Sequence, residues 1–230
     1  MTISEDSHRY IQNKSFPSFE LRKGNILKTI RVDVDPKYED EFLHWYNKEH
    51  EPFLWKVPGV LGMWKAIRLG EDGQKYFYLY AHQNMDVQKT ELYRSASLTE
   101  WARKIYPFLK SFDSWNYEIV MAEEAPKNIK KNSIIQTVEV DISLEYEREF
   151  NDWLLSKHIP ILSKVSGVLT IWQAVNLGKG PKYLTVHFHE SKAVLERDDY
   201  KKASHTKWLE KFRPYLKNLA TNNYVVMMSE

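Results

Sequence analysis

Apolar and polar residues alternate through Ile26-Leu27-Lys28-Thr29-Ile30-Arg31-Val32-Asp33-Val34, a period of two that predicts a strand. From Pro36 the period lengthens, and Tyr38, Phe42, Trp45, Tyr46 and Phe53 fall on one stripe of a helix that Pro58-Gly59 ends. Val60 to Leu69 and Gln74 to His82 read as two more strands, joined by the turn-forming Gly70-Glu71-Asp72-Gly73. Glu91 to Lys110 has a helical pattern interrupted at Pro107, and Trp115 to Met121 reads as a last strand. The order is β-α-β-β-α-β, that of the ferredoxin-like split unit.

The pattern then repeats. Trp45-Tyr46-Asn47-Lys48-Glu49-His50-Glu51-Pro52 returns, altered, as Trp153-Leu154-Leu155-Ser156-Lys157-His158-Ile159-Pro160. A constant offset of 108 residues also relates Gly59 to Gly167; one residue is lost in the turn that follows, so Tyr76 and Tyr183 lie 107 apart. The expected organisation is an extension over residues 1–24, a unit over 25–122, a linker over 123–132 and a second unit over 133–230. One such unit covers a single face of its sheet with helices and leaves the other bare. The α+β fold expected is therefore two tandem ferredoxin-like units packed sheet to sheet, an intrachain pseudo-dimer closed into a barrel. The alternative, each unit pairing with another chain, sits badly with so short a linker.

Composition narrows the function. The 43% hydrophobic and 28% charged content is that of an ordinary globular protein, while 8 Trp and 14 Tyr point to aromatic walls around a core or cavity. A formal net charge of +2, with cations mixed among anions, gives no reason to expect a nucleic-acid partner. The absence of cysteine excludes disulfides, thiolate metal sites and a cysteine nucleophile. No apolar run is long enough to span a bilayer, and Met1 to Gly24 has no apolar core, so a cytoplasmic location is the default.

Strand alternation proposes a cavity lining. Phe77, Leu79 and Ala81 are expected against the helices, with Tyr76, Tyr78, Tyr80 and His82 pointing into the barrel; in the second copy Tyr183, Thr185, His187 and His189 take that role. On the first strand Ile30, Val32 and Val34 face the helices, leaving Thr29 and Arg31 on the other side, with Thr137 and Glu139 as counterparts. Arg31 against Glu139 is opposite charge at one position of the repeat, either a structural bridge or part of a site. Trp64 and Trp172 read as core or cavity wall. His50, beside Tyr46 and Glu49, suits proton transfer near neutrality, or else caps free carbonyls at a helix end. Glu49 falls within the apolar stripe, where a carboxylate needs a raised pKa or a cationic partner. His187 and His189, spaced two apart, invite a metal, but no carboxylate sits at a matching position, so none is expected. The glycines lie mostly in turns, which speaks against a dinucleotide loop.

The helix Trp-Tyr-x-x-Glu-His-x-Pro followed by Val-Pro-Gly resembles the EthD-like branch of the dimeric α+β barrel superfamily. Trp45 to Pro52 matches in full, whereas the second copy keeps Trp153, His158 and Pro160 but has Leu154 for the Tyr and Lys157 for the Glu. The resemblance implies a small-molecule cavity and no particular chemistry, since related barrels include cofactor-free cyclases, decarboxylases, isomerases, monooxygenases and haem enzymes. The expectation is an acid/base enzyme without organic cofactor, of cyclase, isomerase, dehydratase or decarboxylase type, acting on a small hydrophobic or aromatic carbonyl compound inside the barrel. His50 would be the base, Tyr46 and Tyr78 the hydrogen-bond donors to an enolate, with Glu49 beside them. Arg31, Tyr76, Tyr80, His82, Trp64, Glu139, His158, His187 and His189 would contact substrate. Two alternatives remain: a non-catalytic small-molecule-binding or stress-associated protein, and an oxygen- or haem-dependent oxidase. Further homodimerisation through the helices also stays open.

Overall fold

The computed structural model describes residues 21–122, 126 and 128–227. Most of the expected N-terminal extension and part of the expected linker lie outside the described residues. Strand β1 (Ile26–Val34) leads into α1 (Glu39–Trp45), which continues through a π turn (Tyr46–His50) into α2 (Glu51–Leu54). Then come β2 (Val60–Arg68), β3 (Tyr76–His82), α3 (Glu91–Ser97), α4 (Glu100–Ile105) and β4 (Leu109–Ala122). The second copy follows the same plan: β5 (Ile134–Ile142), α5 (Leu144–Trp153), a π turn (Leu154–His158), α6 (Ile159–Leu162), β6 (Val168–Asn176) and β7 (Tyr183–His189). Helices α7 (Lys192–Glu196), α8 (Asp198–Ser204) and α9 (Lys207–Phe212) and strand β8 (Leu216–Met227) complete it. No helix among the described residues is long and apolar enough to cross a membrane.

The strands form one closed antiparallel barrel in the order β1-β3-β2-β8-β5-β7-β6-β4, made of the two ferredoxin-like units. The units are joined where β2 pairs with β8 (Lys65–Arg68 against Tyr224–Met227) and β4 with β6 (Tyr117–Ala122 against Trp172–Asn176). Closure removes the sheet edges that a lone unit would leave exposed. The repeated Val-x-Gly-Val is a steric requirement of this chain path. Gly59 and Gly167 have φ of 88° and 86°, and a Cβ on either would lie 2.5 Å from Cγ2 of Val87 or Val194.

Local chemistry moves two expected boundaries. The helix expected over Glu91 to Lys110 is divided, because the Thr99 hydroxyl accepts from the Ala102 amide at 3.0 Å and starts α4 as a new helix. Pro107 then ends the helical ladder in a short 3-10 turn, so β4 begins at Leu109 rather than Trp115.

The barrel interior is packed. Register sets Arg31 opposite Phe77 and Thr29 opposite Leu79, so these share the inner face, while Ile30 and Tyr78 pair on the outer, helix-facing side. The expected facing of β3 and β7 is thus reversed: Phe77, Leu79 and Ala81, with Leu184, Val186 and Phe188, fill the barrel. Tyr76, Tyr78 and Tyr80 belong with the helices. Every residue of β3 is buried, so burial alone could not assign its faces. Trp64 and Trp172 meet at 5.4 Å between ring centroids, and Trp172 meets Phe188 at 4.7 Å; they are core. Full burial of such side chains contributes about 1.5–3 kcal/mol each.

Within this apolar interior Arg31 Nη2 lies 3.0 Å from Glu139 Oε2. Arg31 Nε donates to the Tyr224 hydroxyl at 3.0 Å, and the Tyr117 hydroxyl donates to Glu139 at 3.0 Å. Burial pulls the guanidinium pKa down, but Glu139 and Tyr224 outweigh it and the net shift is upward. The guanidinium therefore stays charged, and the bridge ties one copy to the other. Removing one partner leaves a buried charge unmatched, so Arg31→Met or Glu139→Leu alone should cost about 3–5 kcal/mol. The double change should cost much less than the sum. Chemical denaturation of the three variants measures this, and additive losses would count against the bridge.

Candidate functional site

The repeated Trp-to-His motif forms a π turn in both copies. Pro52 lacks an amide proton and its ring crowds the carbonyl four residues back. Just before it the ladder widens, and the Glu51 amide donates to the Tyr46 carbonyl five residues earlier. In an α-helix five residues advance about 140° past a full turn, which would separate Trp45 from His50. The wider turn brings them together, rings stacked at 4.8 Å and 30°. π turns recur at functional sites, and this one orients the motif's histidine.

A cavity of about 390 Å³ lies between the outer face of the first copy's sheet and its helices, not inside the barrel. The sheet wall is Lys28, Ile30, Tyr78 and Tyr80; the helix wall includes Trp45, Tyr46, His50 and Tyr93. Phe112, 55% exposed, borders it. The volume falls within the ~300–1,000 Å³ usual for small-molecule sites.

His50 Nδ1 is 3.2 Å from the Ala96 carbonyl oxygen. A carbonyl only accepts, so Nδ1 carries the proton and the neutral ring keeps its lone pair on Nε2. Burial pulls the His50 pKa down to about 4, and the nearby Lys28 charge acts the same way. The ring is therefore a neutral base at ordinary pH. The Tyr46 and Tyr80 hydroxyls are 3.1 Å apart, one donating to the other, which leaves one phenolic proton of the pair for another acceptor. Burial raises the pKa of Tyr46, Tyr78 and Tyr80, so all three stay protonated.

Among the described residues Glu49 is held by neutral donors and forms no ion pair. Its Oε1 accepts from the Trp45 indole at 3.2 Å and from the Thr99 hydroxyl, fixing the ring on which His50 stacks. Tyr76 donates to Glu39 beside the cavity. His82 is fully buried next to it, Nδ1 3.3 Å from the Gln88 amide nitrogen. Arg31, Glu139 and Trp64 lie inside the barrel, away from the cavity. Sequence reasoning missed Lys28 and Tyr93. For Lys28 the signal was present: if Arg31 points inward, Lys28 and Ile30 must point to the helices.

The second copy places His158, His187 and His189 at positions equivalent to His50, Tyr80 and His82. His158 stacks on Trp153 at 4.6 Å, yet its buried Nδ1 has no hydrogen-bond partner, so no carbonyl sets its tautomer. Leu154 and Thr185 replace Tyr46 and Tyr78. Among the described residues no group of three or more His, Asp or Glu side chains is placed to hold a metal ion. A haem brings two propionates, and Lys28 is the one Lys or Arg among the described lining residues, so the lining supplies a cation for one of them.

The fold is that of the dimeric α+β barrels, and solved structures resemble it over nearly the whole chain. A proposed monooxygenase from Fusobacterium nucleatum superposes with a TM-score of 0.69 at 11% identity, covering 90% of this chain and 94% of that one. An anthrone oxidase-like protein matches with a TM-score of 0.59 at 13% identity, over 92% and 94% of the two chains. A mutant chlorite dismutase from Candidatus Nitrospira defluvii gives 0.64 at 10% identity, over 90% and 93%. No family model and no curated protein matches the sequence.

Burial holds His50, His158 and His189 at pKa values of about 4 and His82 at about 3, against an ordinary 6.5. The unfolded chain therefore binds more protons between pH 6.5 and about 4, and folding stability falls as pH drops through that window. Each group contributes a slope of up to about 1.4 kcal/mol per pH unit there, and none above the window. Urea unfolding at pH 7.5, 6.0 and 5.0 should show a marked loss below pH 6.5. A flat profile would contradict the neutral buried state.

Proposed function

We propose that this chain is an EthD-like, cofactor-independent acid/base enzyme acting on a small hydrophobic or aromatic carbonyl compound held between sheet and helices of the first copy. The observation that carries the reading is His50: neutral, its tautomer set by the Ala96 carbonyl, its Nε2 lone pair free, in a cavity lined by phenols. A C–H acidified by a neighbouring carbonyl gives its proton to Nε2. The resulting enolate oxygen accepts the phenolic proton left over in the Tyr46–Tyr80 pair, with Tyr78 in the same wall. The imidazolium then returns the proton at a different atom, which completes an isomerisation, or assists loss of a leaving group.

A second reading follows the same first step with dioxygen as co-reactant. The anthrone oxidase-like neighbour favours it, because an anthrone has an acidic C–H opposite its carbonyl. The carbanion would be oxidised by O2 to the quinone, one oxygen atom entering the product and the other leaving as water.

Both readings share proton abstraction, which is measurable without knowing the later steps. Exchange of the acidic hydrogens of 2-tetralone or anthrone in deuterated, oxygen-free buffer, followed by NMR, should be accelerated by the protein. His50→Ala should reduce the acceleration by about 10²–10⁴-fold, while His158→Ala leaves most of it. Equal effects of the two changes, or binding without exchange, would overturn the acid/base reading. Oxygen uptake with anthrone on admitting air separates the second reading from the first.

A further inference from the structure

Lys28 has a placement that proton abstraction by itself does not explain. It lies on the helix side of β1 and lines the cavity next to the Tyr93 ring, whose centroid is 5.8 Å from Nζ. Among the described residues its one hydrogen bond is to a neutral amide, Gln88 Oε1 at 3.3 Å. Among the described residues no carboxylate forms an ion pair with it, and burial lowers its pKa. A half-buried ammonium whose partners are an amide and a phenol ring, with no anion, is costly to hold beside an apolar cavity. Burial lowers the pKa of both His50 and His82, and the Lys28 charge adds to it at each.

The repeat supplies an internal control. The equivalent residue in the second copy is Gln136, which accepts from the Tyr200 hydroxyl at 2.7 Å and donates to Asn223 at 2.9 Å. There the same strand position is neutral and satisfied by the protein. In the first copy it is cationic and short of an anion, and this is the copy with the described aromatic cavity.

We propose that Lys28 is a specificity-determining residue that pairs with a carboxylate on the ligand, so that the cavity takes small aromatic carboxylic acids. The inference rests on the reading of this cavity as the ligand site. The aromatic body packs among Tyr46, Tyr78, Tyr80 and Tyr93, and the carboxylate meets Nζ at the Gln88 end. An anion there also counters the Lys28 field at His50, which makes the ring a stronger base once substrate is bound.

The probes are 2-naphthoate and its neutral isostere 2-naphthamide, measured by calorimetry at neutral pH. The wild-type chain should bind the acid about tenfold or more tightly than the amide, the strength of one desolvated charge-assisted contact. Lys28→Gln, which reproduces the second copy's residue, should abolish that preference while leaving amide affinity within about twofold. Circular dichroism and thermal melting establish that the variant is folded, and Lys28→Arg should retain the preference for the acid. Equal binding of acid and amide by the wild type, no binding of either, or a preference that survives Lys28→Gln would each overturn the proposal. Failure of the acid/base reading is separate: His50→Ala should keep the preference for the acid whether or not the protein exchanges carbon-bound hydrogen.

Discussion

Closure of eight strands into one barrel obliges an inward-pointing charge to find its partner within the barrel, because water and the helices lie outside. The two copies meet across an approximate two-fold relation, so a position near its axis meets its own counterpart. A strictly symmetric pair would set like against like at position 31. Instead Arg31 meets Glu139, and Tyr224 and Tyr117 complete their hydrogen bonds. Elsewhere the interior is filled by Trp64, Trp172, Phe77 and Phe188, leaving the barrel as a scaffold rather than a container. The divergence of the copies is thus first a structural matter, since two identical sheets would not satisfy this interior.

With the barrel filled, the described cavity falls in the layer between sheet and helices, of which there are two. The π turn is common to both and stacks a histidine on a tryptophan in each. Among the described residues a carbonyl fixes the tautomer in the first copy alone, where Tyr46, Tyr78 and Tyr80 line the same cavity as the ring. The second layer substitutes Leu154, Thr185 and His187, with several buried imidazole nitrogens left without partners.

Support for the site extends beyond the residues that face the cavity. Glu49 holds the Trp45 indole, Trp45 stacks His50, and Ala96 on α3 orients the imidazole. Thr99 both begins α4 and donates to Glu49, so a helix boundary and a site residue share one hydroxyl. This is why the motif carries a Glu that never touches the cavity: its function is placement.

Sequence alone determined the repeat, the order of elements in each copy, the closing of two bare sheets on one another, and the opposite charges at positions 31 and 139. It also singled out Tyr46, His50, Tyr78 and Tyr80, which the fold gathers around one cavity. It misjudged where that cavity lies. Hydrophobic patterning reports whether a residue is buried, and all seven residues of β3 are buried, against the barrel core on one side and the helices on the other. Only the register of Ile30 against Tyr78 and Arg31 against Phe77 decides which side is which. The same register brings Lys28 to the cavity and sends Trp64 to the core. The tautomer of His50 depends on Ala96, 46 residues away in the chain, and so belongs to the tertiary structure entirely.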